Sequence, residues 1–167
     1  MALSASVLST ELQSMTPTGS EATAIARLSS AFDVYFRQAT VNGVPLVPAA
    51  ISPGLAAMQA ALAGMNLSGA GAAKLAAGVA AFWTAQLGLA TSLWITAPIV
   101  LVPPIVAPAA LSGLSAALSS VFASNVSGGL SAAACCDAIA AAIHTACTGA
   151  VVQGSTPPAP PAPLVIT

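Results

Sequence analysis

The reading of residues 91–111, TSLWITAPIVLVPPIVAPAAL, decides whether this chain spans a membrane or folds as helices with extended arms. The stretch is uncharged and has the length of a transmembrane helix, which takes about 20 apolar residues. Four prolines oppose that reading: Pro98, Pro103, Pro104 and Pro108. An interior proline removes a backbone hydrogen bond and costs a helix about 3 kcal/mol, and Pro104 drives Pro103 toward extended geometry. No lysine or arginine flanks the segment to orient it across a bilayer. Its β-branched and aromatic content instead predicts a strand or a polyproline-type arm. Prolines place such a strand at a sheet edge, and a long apolar edge needs a cover. The candidate interface residues are therefore Trp94, Ile95, Ile99, Val100, Leu101, Val102 and Ile105. Trp94 is the expected anchor, because tryptophan is enriched at binding hot spots.

The same chemistry prevails through the rest of the chain. Of 167 residues, 3 are Lys or Arg and 4 are Asp or Glu, 4% in all, against about 25% in ordinary soluble domains. No formal charge occurs between Lys74 and Asp137, while alanine fills 41 positions and serine plus threonine 30. A net charge of -1 gives almost no colloidal repulsion. Much of this surface is expected to be hidden by protein or lipid. Arg27, Arg37 and Lys74 are too few for the several phosphate contacts of nucleic-acid binding. Disorder is excluded for most of the chain by its apolar content; only GSTPPAPPAPLVIT, from Gly154, has the composition of a Pro-rich arm. MALSASVLSTELQSM lacks a basic n-region and a continuous apolar core, so cytoplasmic synthesis without a signal peptide is expected. An odd cysteine count, with Cys135 and Cys136 adjacent, points to reduced thiols rather than a disulfide framework.

Internal repetition organises the chain. Adding 47 to Leu8 gives Leu55, and the same shift carries Met15 to Leu62, Arg27 to Lys74, Leu28 to Leu75, Phe32 to Val79 and Phe36 to Trp83. A third copy aligns LAAMQAAL at 55 with LSGLSAAL at 111, then Leu75, Val79 and Trp83 with Cys135, Ile139 and Ile143. Each unit reads as a short helix (Ser4 to Met15, Gly54 to Gly64, Ala109 to Phe122), a Gly/Ser/Thr loop, and a longer helix (20–40, 71–90, 130–148). An extended tail closes each one. The expected fold is mainly α: three repeated helix–loop–helix units with extended Pro-rich or β-strand arms. Unit 1 covers 1–48, unit 2 with the long arm 49–108, unit 3 109–153, and a Pro-rich arm 154–167.

The long helices are amphipathic. The expected buried stripes are Ile25, Leu28, Phe32 and Phe36; then Leu75, Val79, Phe82 and Gln86; then Cys135, Ile139, Ala142 and Ala146. Asp33 and Arg37, four apart, are placed to pair on the far face of the first. The far faces of the other two carry Ala, Gly and Thr, which permits close backbone approach and points to packing within an assembly. Phe32, Tyr35, Phe36, Phe82 and Trp83 at these spacings read as core.

Candidate chemistry is sparse. CCDAIAAAIHTAC places Asp137 and His144 on one helical face, with Cys147 three residues on. Zinc wants four ligands in a tetrahedron, one helix cannot wrap a metal, and the chain holds no second Cys/His cluster. The cysteines therefore read as buried small thiols. General acid–base work needs positioned titratable groups; Glu11, Glu21, Asp33, Asp137 and His144 form no motif for it, and no nucleophile-elbow pattern occurs. GAG at 69–71 lacks the Lys-Ser/Thr of a phosphate cradle. No enzyme and no cofactor are expected.

MALSASVLSTELQSM, the Ala-rich helix after it, VNGVPLVP, and LSAAACCDAIAAAIHTACTGAVVQGS together resemble small Ala-rich structural proteins of tailed bacteriophages and phage tail-like particles. That resemblance implies a virion or extracellular particle component with no catalytic residues. The expectation is a non-enzymatic structural or assembly protein whose partners are itself and other structural subunits. The runner-up is a membrane-associated protein using the uncharged region 75–136, which the prolines and missing flanking cations disfavour.

Overall fold

Serine marks the start of most helices in the computed structural model, which describes residues 3–15, 20–41, 44–45, 52–65, 70–93, 100–101, 108–148, 151–155 and 162–165. Ser4, Ser20, Ser52 and Ser131 stand at the N-cap positions of α1 (Ala5–Gln13), α2 (Glu21–Phe36), α3 (Pro53–Leu62) and α6 (Ala132–Cys147). Ser131 caps directly, its hydroxyl accepting from the Ala134 amide at 3.2 Å. Pro53 opens α3, where its missing N–H costs nothing. Between α3 and α6 run α4 (Gly71–Leu93), a 3₁₀ turn (Ala109–Gly113) and α5 (Leu114–Val126). Gly64 and Gly128 follow α3 and α5 at φ 75° and 77°, the left-handed conformation that a side chain would oppose. The fold is mainly α, as the periodicity predicts.

The helix ends differ from expectation in instructive places. α2 stops at Phe36 rather than near 40, because Thr40–Val41 (β1) pairs antiparallel with Val44–Pro45 (β2). α4 continues to Leu93 and takes Thr91 and Ser92 with it. The stretch 91–111 is thus divided: a helix end, a strand fragment Val100–Leu101 (β3), and the start of the 3₁₀ turn after Pro108. It is not one helix. β3 pairs with Val151–Ser155 (β4), which pairs with Ala162–Val165 (β5), all antiparallel. Parts of the apolar stretch 91–111 and of the Pro-rich arm from Gly154 therefore pair with each other inside one chain. Trp94, Ile95, Ile99, Val102 and Ile105 lie outside the described residues; Val100 and Leu101 face Ser155 and Gly154 in backbone register.

All six helices contribute to one core. α3 lies along α4 most extensively, then α1 against α6, with α4 on α5, α5 on α6 and α1 on α2. Trp83, Tyr35, Phe32, Phe36 and Phe82 are its largest fully buried side chains. Phe82 meets Phe32 edge-on at 4.8 Å and Phe36 at 5.1 Å, and Phe36 meets Trp83 at 4.8 Å and 84°. Such edge-to-face pairs contribute about 0.5–1.5 kcal/mol each beyond burial. Close approach of α3 to α4 depends on two glycines. A Cβ at Gly54 would lie 2.8 Å from Phe82 and Gln86, and one at Gly78 would lie 3.1 Å from Leu62.

Two expected faces are corrected. Asp33 is buried, not on a solvated far face, because α3 covers it and Ser52 donates to its carboxylate. In α6 the buried set is Ala140, Ile143, Ala146 and Cys147, while Cys135, Ile139 and Ala142 are only half-buried. The face is rotated because Tyr35 and Trp83 hold the His144 and Cys147 side of the helix.

Candidate functional site

Polar side chains form three small knots, two of them largely buried and one at the surface, each tying helices together. In the first, the Tyr35 hydroxyl meets His144 Nδ1 at 3.0 Å, joining α2 to α6. One turn on, Trp83 Nε1 of α4 donates to Cys147 Sγ at 3.1 Å. Burial, helped by the nearby Cys147 sulfur, raises the Tyr35 phenol well above its usual range. Burial also pushes the Cys147 thiol up to about 12, against the lowering effect of the Trp83 hydrogen bond. Such a thiol stays protonated at neutral pH, and only the thiolate is a nucleophile or metal ligand. Cys136 is likewise raised, chiefly by burial and then by the charges of Cys135 and Asp137.

The second knot joins α1 to α6. Ser9 and Gln13 both donate to Asp137 Oδ1, Gln13 at 3.0 Å, and Gln13 also reaches Ser9 Oγ at 2.9 Å. The third lies at the α2–α3–α4 junction. Arg37 Nε donates to Asp33 Oδ2 at 2.7 Å, the i,i+4 pair expected from spacing. Ser52 donates to Asp33 Oδ1 and accepts from Gln86 Nε2 at 3.4 Å. Gln86 Oε1 is buried with no hydrogen-bond partner among the described residues.

These placements separate the residues that the sequence put side by side. Asp137 turns to α1, His144 to α2 and Cys147 to α4. Among the described residues no three His, Cys, Asp or Glu side chains converge. The knots are structural pins. None was visible in sequence, since each joins residues far apart in the chain; the one local signal was the Asp33–Arg37 spacing.

The feature of greatest extent lies outside. Ala109–Val126, the 3₁₀ turn with α5, carries no charge and has only 11% of its residues buried. Leu114 and Leu118 point inward, while Ala116, Ala117, Ser119, Ser120 and Ala123 lie exposed and Val126 is 87% exposed. Beside it, Ala110, Gly113 and Ala117 of this element and Ala141, Thr145 and Ala146 of α6 border a shallow groove of about 430 Å³. Four serines of this element and its C-cap are already satisfied by their own helix. Ser112, Ser119, Ser124 and Ser127 donate to the Ala109, Ser115, Ser120 and Ser124 carbonyls at 2.8–3.0 Å. Covering this face strands none of these four donors, so the usual penalty for burying an unbonded hydroxyl does not arise. No family model, curated protein or solved structure matches the chain.

Proposed function

We propose that the chain is a non-enzymatic structural or assembly protein, a subunit of a virion or other large particle. Three repeated helix–loop–helix units supply its low-charge packing surfaces, and its extended segments reach copies of itself and other structural subunits. Main-chain pairing along such segments adds affinity, and side-chain pockets add specificity. The alternation of short and long helices, α1/α2, α3/α4 and α5/α6, supports the repeat, and the likeness to tailed-phage structural proteins supports the particle.

One observation carries the proposal. An 18-residue helical element, uncharged and with only Leu114 and Leu118 buried, is an unusual surface for a dispersed monomer. Its small side chains let another backbone approach closely, and Ser112, Ser119 and Ser124 keep their hydrogen bonds within the helix when it is covered. The test is Ala117→Glu, which puts a charge on the exposed face without touching the core. Surface substitutions of this kind change stability by about 0.5 kcal/mol or less. By analytical ultracentrifugation, the wild type is expected as a large assembly and the variant as a small, folded species. Unchanged assembly of the variant overturns the assignment of this face.

A second reading has its own observation. Ala109–Val126 is, among the described residues, the one helix long and apolar enough to cross a bilayer, with mean hydropathy 1.3. The polar Asn125 within it and the lack of a flanking Lys or Arg weigh against hydrocarbon and toward a protein cover. If Ala109–Val126 meets lipid, extraction depends on detergent.

A further inference from the structure

We draw no further inference here: the strongest candidate, the shallow apolar groove between α5 and α6 bordered by Ala110, Gly113, Ala117, Ala141 and Thr145, belongs to the face already given to assembly, and nothing in the structure shows which segment covers it.

Discussion

Replacing Gly54 by alanine and Gly88 by alanine makes the same chemical change twice, with opposite expected signs. Both glycines are helical, in α3 and α4 respectively. At Gly88 a new Cβ meets nothing within 4 Å, so the gain in helix propensity is realised, about 0.5–1 kcal/mol of stabilisation. At Gly54 the Cβ lands 2.8 Å from Gln86 Cγ, 2.8 Å from Phe82 Cγ and 2.9 Å from Phe82 Cδ1. Carbon contacts settle at about 3.5–4.0 Å, so each pair is too close by roughly 0.6 Å or more. Phe82 has no room to withdraw, because Phe32 and Phe36 stand against its ring at 4.8 and 5.1 Å. Relief must come from separating α3 from α4, and overpacking of this kind costs about 1–3 kcal/mol. Both variants share the propensity gain, so they should differ by the overpacking cost, about 1–3 kcal/mol. Urea unfolding followed by far-UV circular dichroism reads the difference as a shift in midpoint at constant slope. If the Gly54 variant matches the Gly88 variant, α3 does not lie on α4 as described, and the core built around Phe82 is misplaced.

Other consequences are independent of that contact. Tyr35→Phe should cost about 1 kcal/mol, the usual net value of one hydrogen bond, and a double-mutant cycle with His144→Ala should recover a coupling of that size; additivity of the two variants removes the α2–α6 pin. The raised thiol of Cys147 sets a pH dependence. Between its ordinary 9.0 and about 12 the unfolded chain binds fewer protons than the folded one, so stability should fall as pH rises through that window. Tyr35, shifted the same way, extends the fall upward. Cys147→Ala should flatten the lower part of the curve; an unaltered slope contradicts the burial account. In the folded protein at pH 8, Cys147 should resist an aromatic disulfide reagent that labels it at once in urea, and fast labelling in the native state refutes its enclosure under Trp83.

Helices were legible because their signals are local. Gly/Ser/Thr loops marked the junctions, and Leu75, Val79, Phe82 and Gln86, at helical spacing, are all buried. The five aromatics expected in the core are there. What spacing could not convey was which neighbour each face would meet. Asp33 looked solvated because a charge on a helix usually is, until α3 brought Ser52 against it. The α6 stripe was placed one residue early because alanine on every side gives periodicity little contrast, and the deciding contacts came from Tyr35 and Trp83 on other helices. β3 and β4 pair across a long chain separation that no local pattern encodes. The uncharged surface itself was legible from composition; its concentration on α5 was not, since exposed and buried alanine helices read alike.

The central claim is that protein, not lipid, covers this low-charge surface. Sedimentation of the untagged protein from its native source, with and without mild detergent, tests it directly. A discrete, fast-sedimenting particle that detergent leaves intact is the expected result; release by detergent as a small species contradicts it and gives the uncharged face to a membrane.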